Sequence, residues 1–281
     1  MQVFKYVHKL QQIITEQRQS GKTIGFVPTM GALHAGHLAL IRAALQQCDY
    51  VVCSIFVNPT QFNDATDLEK YPRTVAADFQ KLYAVECHAI FLPEVDEIYP
   101  EPAPILPPLE FGQLTQVLEG AHRAGHFAGV VQVVHRLLDI VRPDYLYMGQ
   151  KDYQQQAIIG AMLTQLSSTI QLITAPTVRE KDGLAMSSRN TRLTAQQRQL
   201  APLLHQVLSG VKTDITQQSI EHVERAAQQQ LTDAGFVVDY LSVVDGTTLQ
   251  AIEVFEDAKS VVVVVAASLG DIRLIDNLII S

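Results

Sequence analysis

The residues best equipped for chemistry fall in three short segments: His34 and His37, the tandem pair Lys151-Asp152, and the tripeptide Ser187-Ser188-Arg189. The histidines sit in Pro28-Thr29-Met30-Gly31-Ala32-Leu33-His34-Ala35-Gly36-His37-Leu38, just where apolar residues begin to recur at helical spacing. A helix mouth presents unpaired backbone N–H groups and the positive end of the dipole, so an anion is favoured there. Gly36 has no side chain, which lets a flat group lie against the backbone. Lys151 offers a charge to a phosphate and Asp152 an acceptor to a hydroxyl. Ser187, Ser188 and Arg189 supply two short donors and one planar fork, a set suited to a triphosphate. Each segment also has a plainer reading: a helix start with two solvated or core histidines, a cap at Asp152 beside a solvated lysine, a polar loop. A zinc site fares worse, because it needs three or four ligands and no Cys or carboxylate stands at matching spacing.

The surrounding pattern places these residues. Residues 23–27 read as a short buried strand, so the histidine turn joins a strand to a helix beginning near Gly36. In an open parallel sheet such a crossing lies at the carboxyl end of a strand, where ligands bind. Residues 50–57 form a near-continuous apolar run, typical of a strand covered on both faces. Asn58-Pro59-Thr60-Gln61-Phe62 turns away from it and puts Gln61 at the end of a second strand beside the first, or in a solvated loop. Further strands are expected at 89–93, 143–148 and 170–174, the second running straight into Gly149-Gln150-Lys151-Asp152. Helices are expected at 7–19, closed by Gly21, around Asp78, Phe79 and Leu82, and at 130–141. The Gly-flanked His126-Phe127 ahead of that last helix reads as a second loop at the carboxyl edge of the sheet. His122 and His126 stand four apart, but no metalloprotease glutamate lies between them. The proline-rich stretch 100–108 reads as an extended surface segment.

Beyond Pro176 the pattern changes to helices at 195–208 and 220–231 and strands near 237–244, 261–267 and 272–280. The expected fold class is therefore α/β: a Rossmann-like doubly wound parallel sheet over residues 1–176, with a smaller C-terminal α+β domain over 177–281 built on an antiparallel sheet.

The chain has 281 residues, 47% hydrophobic and 18% charged, which suits a globular protein with a sizeable core. Net charge is −8, and no dense Lys/Arg run occurs, which argues against a nucleic-acid partner; local positive charge is enough for ATP. Cys48, Cys53 and Cys87 make no Cys-x-x-Cys pair and read as reduced core residues of a cytoplasmic protein. Residues 1–5 lack the basic-then-apolar pattern of a signal peptide, and the longest apolar run, 261–267, is far short of a membrane span. Neither a P-loop nor a Gly-x-Gly-x-x-Gly fingerprint is present. A nucleotide, if bound, would have to use the three segments above, whose donors suit a triphosphate.

Strand, Pro-Thr-Met-Gly, then His-Ala-Gly-His opening a helix resembles the ATP-binding signature of the nucleotidyltransferase and class I synthetase superfamily. The likeness narrows when the motifs at 28–37, 54–62, 71–74, 125–127, 149–155 and 182–190 are taken in order. That series resembles the pantothenate synthetase family, and the likeness continues more loosely through 269–277. Departures are Thr60 where Met is common, Gln150 for a usual Glu and Ala124 for a usual Pro; the first two flank binding positions and bear on affinity.

The resemblance implies ATP-dependent condensation of pantoate with β-alanine, releasing AMP and pyrophosphate through an enzyme-bound pantoyl adenylate, with Mg²⁺. It assigns ATP binding to Met30, Gly31, Ala32, Leu33, His34, Ala35, Gly36, His37, Gly149, Gln150, Lys151, Asp152, Val178, Met186, Ser187, Ser188 and Arg189. His37 is then the proton donor, with His34 and Lys151 beside it as catalytic residues. Gln61 and Gln155 hold pantoate, Gln61 also meets β-alanine, and Pro28 and Met30 cover the methyl groups of pantoate. Asp78 is a candidate contact for Mg²⁺ or the amine. The C-terminal domain is expected to act as a lid hinged near Gly183, and the chain to work as a homodimer on small molecules, with no membrane partner. Two competing readings share the histidine turn: an adenylyltransferase with a stable nucleotide product, and a nucleotide sensor that releases no pyrophosphate.

Overall fold

β-Branched and aromatic residues buried on both faces build the central sheet. In the computed structural model, which describes residues 1–102, 106–255 and 258–281, six strands are parallel throughout. They are β1 (Gln2–Phe4), β2 (Ile24–Thr29), β3 (Tyr50–Ile55), β4 (Ala89–Phe91), β5 (Tyr145–Gly149) and β6 (Gln171–Ala175), in spatial order β1-β4-β3-β2-β5-β6. From β2 the chain runs outward through β3 and β4, then returns to place β5 on the other side of β2. The order reverses between β2 and β5, and ligands of such sheets bind at the carboxyl ends flanking that switch.

Val27, Val51, Cys53, Ile55, Ile90 and Tyr147 face one side of the sheet and pack with Leu40, Ile41 and Ala44 of the helix Ala35–Gln47 and Leu82 of the helix Val75–Ala84. Phe26, Val52, Phe91 and Leu146 on the other side are fully buried as well, which explains the unbroken apolar runs. The three cysteines are free and buried. The strand β1, paired with β4, was not anticipated: three residues carry no readable period. Part of the proline-rich stretch, 103–105, lies outside the described residues.

By its contacts the chain divides into two compact units, residues 1–111, 124–149 and 158–176 in the first and 112–123, 150–157 and 177–281 in the second. The second is organised on an antiparallel sheet, β7 (Val237–Asp245), β8 (Val261–Leu269) and β9 (Ile272–Ile279), in the order β7-β8-β9. One face, through Val261, Val263, Val265, Ala267 and Leu269, meets the helices Leu203–Asp214 and Ile220–Asp233. The other face, through Val262 and Val264, is covered by Leu114, Val117, Leu118, Tyr153 and Tyr240. The single helix expected at 195–208 is two, Ala195–Leu200 and Leu203–Asp214, because Pro202 between them has no N–H to donate. Among the described residues no helix is long and apolar enough to cross a membrane.

Candidate active site

In the first unit the histidine turn leaves the end of β2 and is held from two sides. Thr29 Oγ1 donates to the Ser54 carbonyl at 2.7 Å and accepts the Gly31 N–H at 3.2 Å, tying the start of the turn to β3. Ala32 has φ +47°, a left-handed conformation that costs a residue with a Cβ on the order of 1–3 kcal/mol and persists only where the surroundings impose it. Asp78 imposes it. Its Oδ2 accepts the Ala32 N–H at 2.9 Å, its Oδ1 the Leu33 N–H at 2.8 Å, and Thr74 Oγ1 donates to both oxygens. Lys81, one turn along the same helix, donates to the Leu33 carbonyl at 2.5 Å. Asp78 is fully buried, so the expectation that it contacts Mg²⁺ or an amine gives way to a role inside the turn.

His34 is the N-cap of the helix Ala35–Gln47, and its backbone N–H donates to His37 Nδ1 at 3.3 Å. A ring nitrogen that accepts carries no proton, so neutral His37 bears its hydrogen on Nε2 as a donor. The two rings stack with centroids 3.9 Å apart at 29°. The result is a donor-rich helix mouth.

Gln61 closes the 3₁₀ turn Pro59–Gln61 after β3, beside β2 as the sequence suggested, and is buried rather than a solvated loop residue. Asn58, also buried, donates through Nδ2 to Gln61 Oε1 at 3.2 Å and to the Gly129 carbonyl at 3.2 Å, while its Oδ1 accepts the Tyr99 hydroxyl at 2.8 Å. With the Gln61 oxygen engaged, the NH₂ is the end of the amide left to donate. His126 Nδ1–H donates to the Gln61 carbonyl at 2.8 Å. His126 and Phe127 are the first turn of the helix His126–Val141, not a loop, and a Cβ on Gly129 would lie 2.3 Å from the Thr60 carbonyl oxygen. Only glycine permits that helix to reach the turn. Asn58 and His126 escaped the sequence reading as functional positions, although an Asn preceding Pro is itself a turn-capping signal.

In the second unit, the turn Gln150–Asp152 follows directly on β5 and leads into the helix Tyr153–Gln165. Lys151 and Gln155 are half-buried and Asp152 is exposed, whereas Gln154 is buried and bonds the carbonyls of Leu114 and Val117 at 2.7 and 2.9 Å. Val178 and Met186 are brought together by the bond from the Met186 N–H to the Val178 carbonyl at 3.0 Å. Ser187 Oγ accepts the Arg189 N–H at 3.3 Å and caps the 3₁₀ turn Ser188–Arg192, with Ser188 buried. Thus Val178, Met186, Ser187, Ser188 and Arg189 share one hairpin loop. Gly183, expected near a hinge, sits in a tight turn: φ is +93°, its N–H donates to the Glu180 carbonyl at 2.9 Å, and a Cβ would lie 2.6 Å from His205 Cδ2.

A half-buried ionic cluster centred on buried Glu119 stands in the same unit. Arg273 donates to Glu119 at 2.6 and 2.8 Å and to Asp239 at 2.6 Å, and the Tyr240 hydroxyl donates to Glu119 at 2.8 Å. Burial alone would raise the Glu119 carboxyl, but Arg273 above all, with Tyr240 and Arg123, holds it at about 2. Among the described residues no group of three or more His, Cys, Asp or Glu could hold a metal ion.

A sequence model described as pantoate–β-alanine ligase matches residues 2–279. A pantothenate synthetase from Porphyromonas gingivalis (strain ATCC BAA-308 / W83) is 44% identical over 279 residues, covering 99% of each chain. The crystal structure of pantothenate synthetase from Thermus thermophilus superposes with a TM-score of 0.93 at 38% identity, covering 100% of this chain and 99% of that one. A pantoate–β-alanine ligase from Francisella tularensis, solved with beta-gamma ATP and β-alanine, gives a TM-score of 0.84 at 32% identity over 99% of this chain and 97% of that one.

Proposed function

The chain belongs to the pantoate–β-alanine ligase family, and we propose that the turn and loops described above carry its ATP-dependent formation of pantothenate through a pantoyl adenylate. The observation that carries the reading is the histidine turn: a left-handed loop locked by Asp78, opening into a helix N-terminus where His37 bears its hydrogen on Nε2. In the first step a pantoate carboxylate oxygen attacks the α-phosphorus, the bond to the bridging oxygen breaks, and pyrophosphate leaves with that electron pair. The nucleophile is already an anion, so the step needs alignment and neutralisation of charge gathering on phosphate oxygens, not a base. His37 as proton donor, His34, Lys151 and the backbone N–H groups of the turn suit that task. Met30 through Leu33, Ala35, Gly36, Gly149, Gln150, Asp152, Val178, Met186, Ser187, Ser188 and Arg189 complete the ATP contacts.

Gln61 and Gln155 hold pantoate through neutral amides, which orient the carboxylate without competing with its attack. The β-alanine amine, in its deprotonated form near Gln61, then attacks the acyl carbon, the acyl C–O bond breaks, AMP leaves with that electron pair as a phosphate anion, and the surplus proton on nitrogen is lost to solvent. The bound nucleotide and β-alanine of the Francisella tularensis relative support both ligands here. Mg²⁺, entering with the nucleotide as MgATP, would offset the negative charge of the phosphates during the first step. Also part of the reading are residues 177–281 acting as a lid on the triphosphate, a homodimer, and a cytoplasmic location.

The test is pyrophosphate release from MgATP with pantoate alone and then with β-alanine. A single-turnover burst that becomes continuous AMP production on adding the amine supports the two-step ligase. Continuous turnover without amine would instead indicate an adenylyltransferase, and bound ATP without pyrophosphate a sensor.

A further inference from the structure

The strand β9 carries the loosely matching stretch near the chain's end, and none of its residues has a part in the reaction described so far. Its Asn277 is 2% exposed, and every polar atom of it is engaged. Nδ2 donates to two successive carbonyls of the turn Gln150–Asp152, Gln150 O at 3.0 Å and Lys151 O at 2.9 Å. Oδ1 accepts Gln150 Nε2 at 3.1 Å, which fixes the amide with its two hydrogens toward those carbonyls. The backbone N–H of Asn277 donates to Asp276 Oδ1 at 2.8 Å, and its carbonyl accepts Arg179 Nη2 at 3.2 Å.

The neighbouring residue faces the opposite side of the sheet. There Asp276 takes Arg179 in a bidentate pair at 2.6 and 2.9 Å, and Arg179 also donates to the Gly183 carbonyl at 3.1 Å inside the hairpin that carries Val178 and Met186. One strand therefore grips the Lys151 turn on one face and the Met186–Arg189 hairpin on the other. A carbonyl pair held by one planar amide cannot rotate about the chain axis, so the direction in which the Lys151 side chain leaves the backbone is set by Asn277. From this geometry we infer that Asn277 is a positioning residue of the reaction, acting through Lys151 on the ATP phosphates. The inference rests on the role of Lys151 given above.

The test is a double-mutant cycle on the whole enzyme, with Lys151→Ala, Asn277→Ala and the pair together, read as the single-turnover rate of pyrophosphate release with MgATP and pantoate. Asn277→Ala is expected to slow that rate about 10- to 100-fold, the scale for a catalytic group displaced by roughly 1 Å, with the KM for pantoate unchanged. In the double variant the rate should fall no more than about threefold below that of Lys151→Ala alone, because contacting residues in one unit of function are not additive. Asn277→Ser, smaller in its disturbance and keeping one donor, should sit between wild type and Asn277→Ala and serves for the cycle if the alanine variant does not fold. Losses that multiply in full, or a rise in the KM for every substrate together, would overturn the inference and leave Asn277 a packing residue. A Lys151→Ala enzyme as fast as wild type would overturn the Lys151 assignment itself, and the inference with it, which the single-variant arm reveals separately.

Discussion

Asp78 Oδ2 stands 2.9 Å from the backbone nitrogen of Ala32 and holds it at φ +47°. A carboxylate sealed in the interior thus dictates the backbone of the turn proposed above to bind the nucleotide. Replacing it by Asn leaves the shape but turns one acceptor into a donor, which orphans a buried N–H at a cost of about 1–3 kcal/mol. Asp78→Asn should therefore lower stability by that amount in a denaturant titration and lower kcat at least tenfold, with Asp78→Ala worse on both counts. Full activity in a destabilised Asp78→Ala enzyme would separate the carboxylate from the turn's function.

His37 carries its hydrogen on Nε2 because its Nδ1 is engaged by the His34 N–H at 3.3 Å. His37→Ala should lower turnover by roughly two to three orders of magnitude, the scale for losing one transition-state charge stabiliser. His37→Asn keeps an acceptor near the Nδ1 position but loses the outer donor, so it should be as slow as alanine. His37→Gln reaches further and should recover part of the rate. A loss under tenfold in the alanine variant would reduce His37 to a binding residue.

Asn58 fixes the orientation of the Gln61 amide, through the 3.2 Å bond to Oε1. Without it the amide turns freely, and a net hydrogen bond of ~1 kcal/mol converts to a several-fold to roughly tenfold rise in the KM for pantoate. ATP binding, measured by calorimetry in the absence of pantoate, should be unchanged in Asn58→Ala. Equal weakening of both ligands would point to a collapsed turn instead.

Glu119 links pH to stability. Its carboxyl is held at about 2, below its ordinary 4.5, so the native state binds its proton less readily than the unfolded chain does. The stabilisation, on the order of 3 kcal/mol, is complete above pH 4.5 and lost as pH falls toward 2. Denaturant midpoints of wild type and Glu119→Gln should differ by a constant amount from about pH 6 to 5 and converge as acid is added. A gap independent of pH down to about 3 would assign the cluster's contribution to packing.

What could be read beforehand was local. Strands β2, β3 and β5 announced themselves as apolar runs ending in polar turns, and His34, His37, Gln61 and Lys151 followed from their places at those ends. The illegible part was long-range. No spacing rule joins Asp78 to Ala32, His126 to Gln61, or Asn277 to Lys151, since each pairing exists only after elements far apart in sequence are packed. The same holds for residues 112–123 and 150–157, whose Leu114, Val117 and Tyr153 cover one face of the small sheet. Nor did spacing reveal the tight, hydrogen-bonded turn that the positive φ of Gly183 serves.

The strand β8, Val-Val-Val-Val-Val-Ala-Ala-Ser-Leu, is paired along both edges and apolar on both faces, with Val261, Val262 and Val263 wholly withdrawn from water. It contains no charge, no proline and no gatekeeper, so once its neighbours peel away it is a ready template for the same strand of another molecule. Heat inactivation of this enzyme is then a race between refolding and intermolecular β-pairing. Its outcome will depend on protein concentration rather than on temperature alone, and residual activity after a heat pulse will be higher in dilute samples than in concentrated ones.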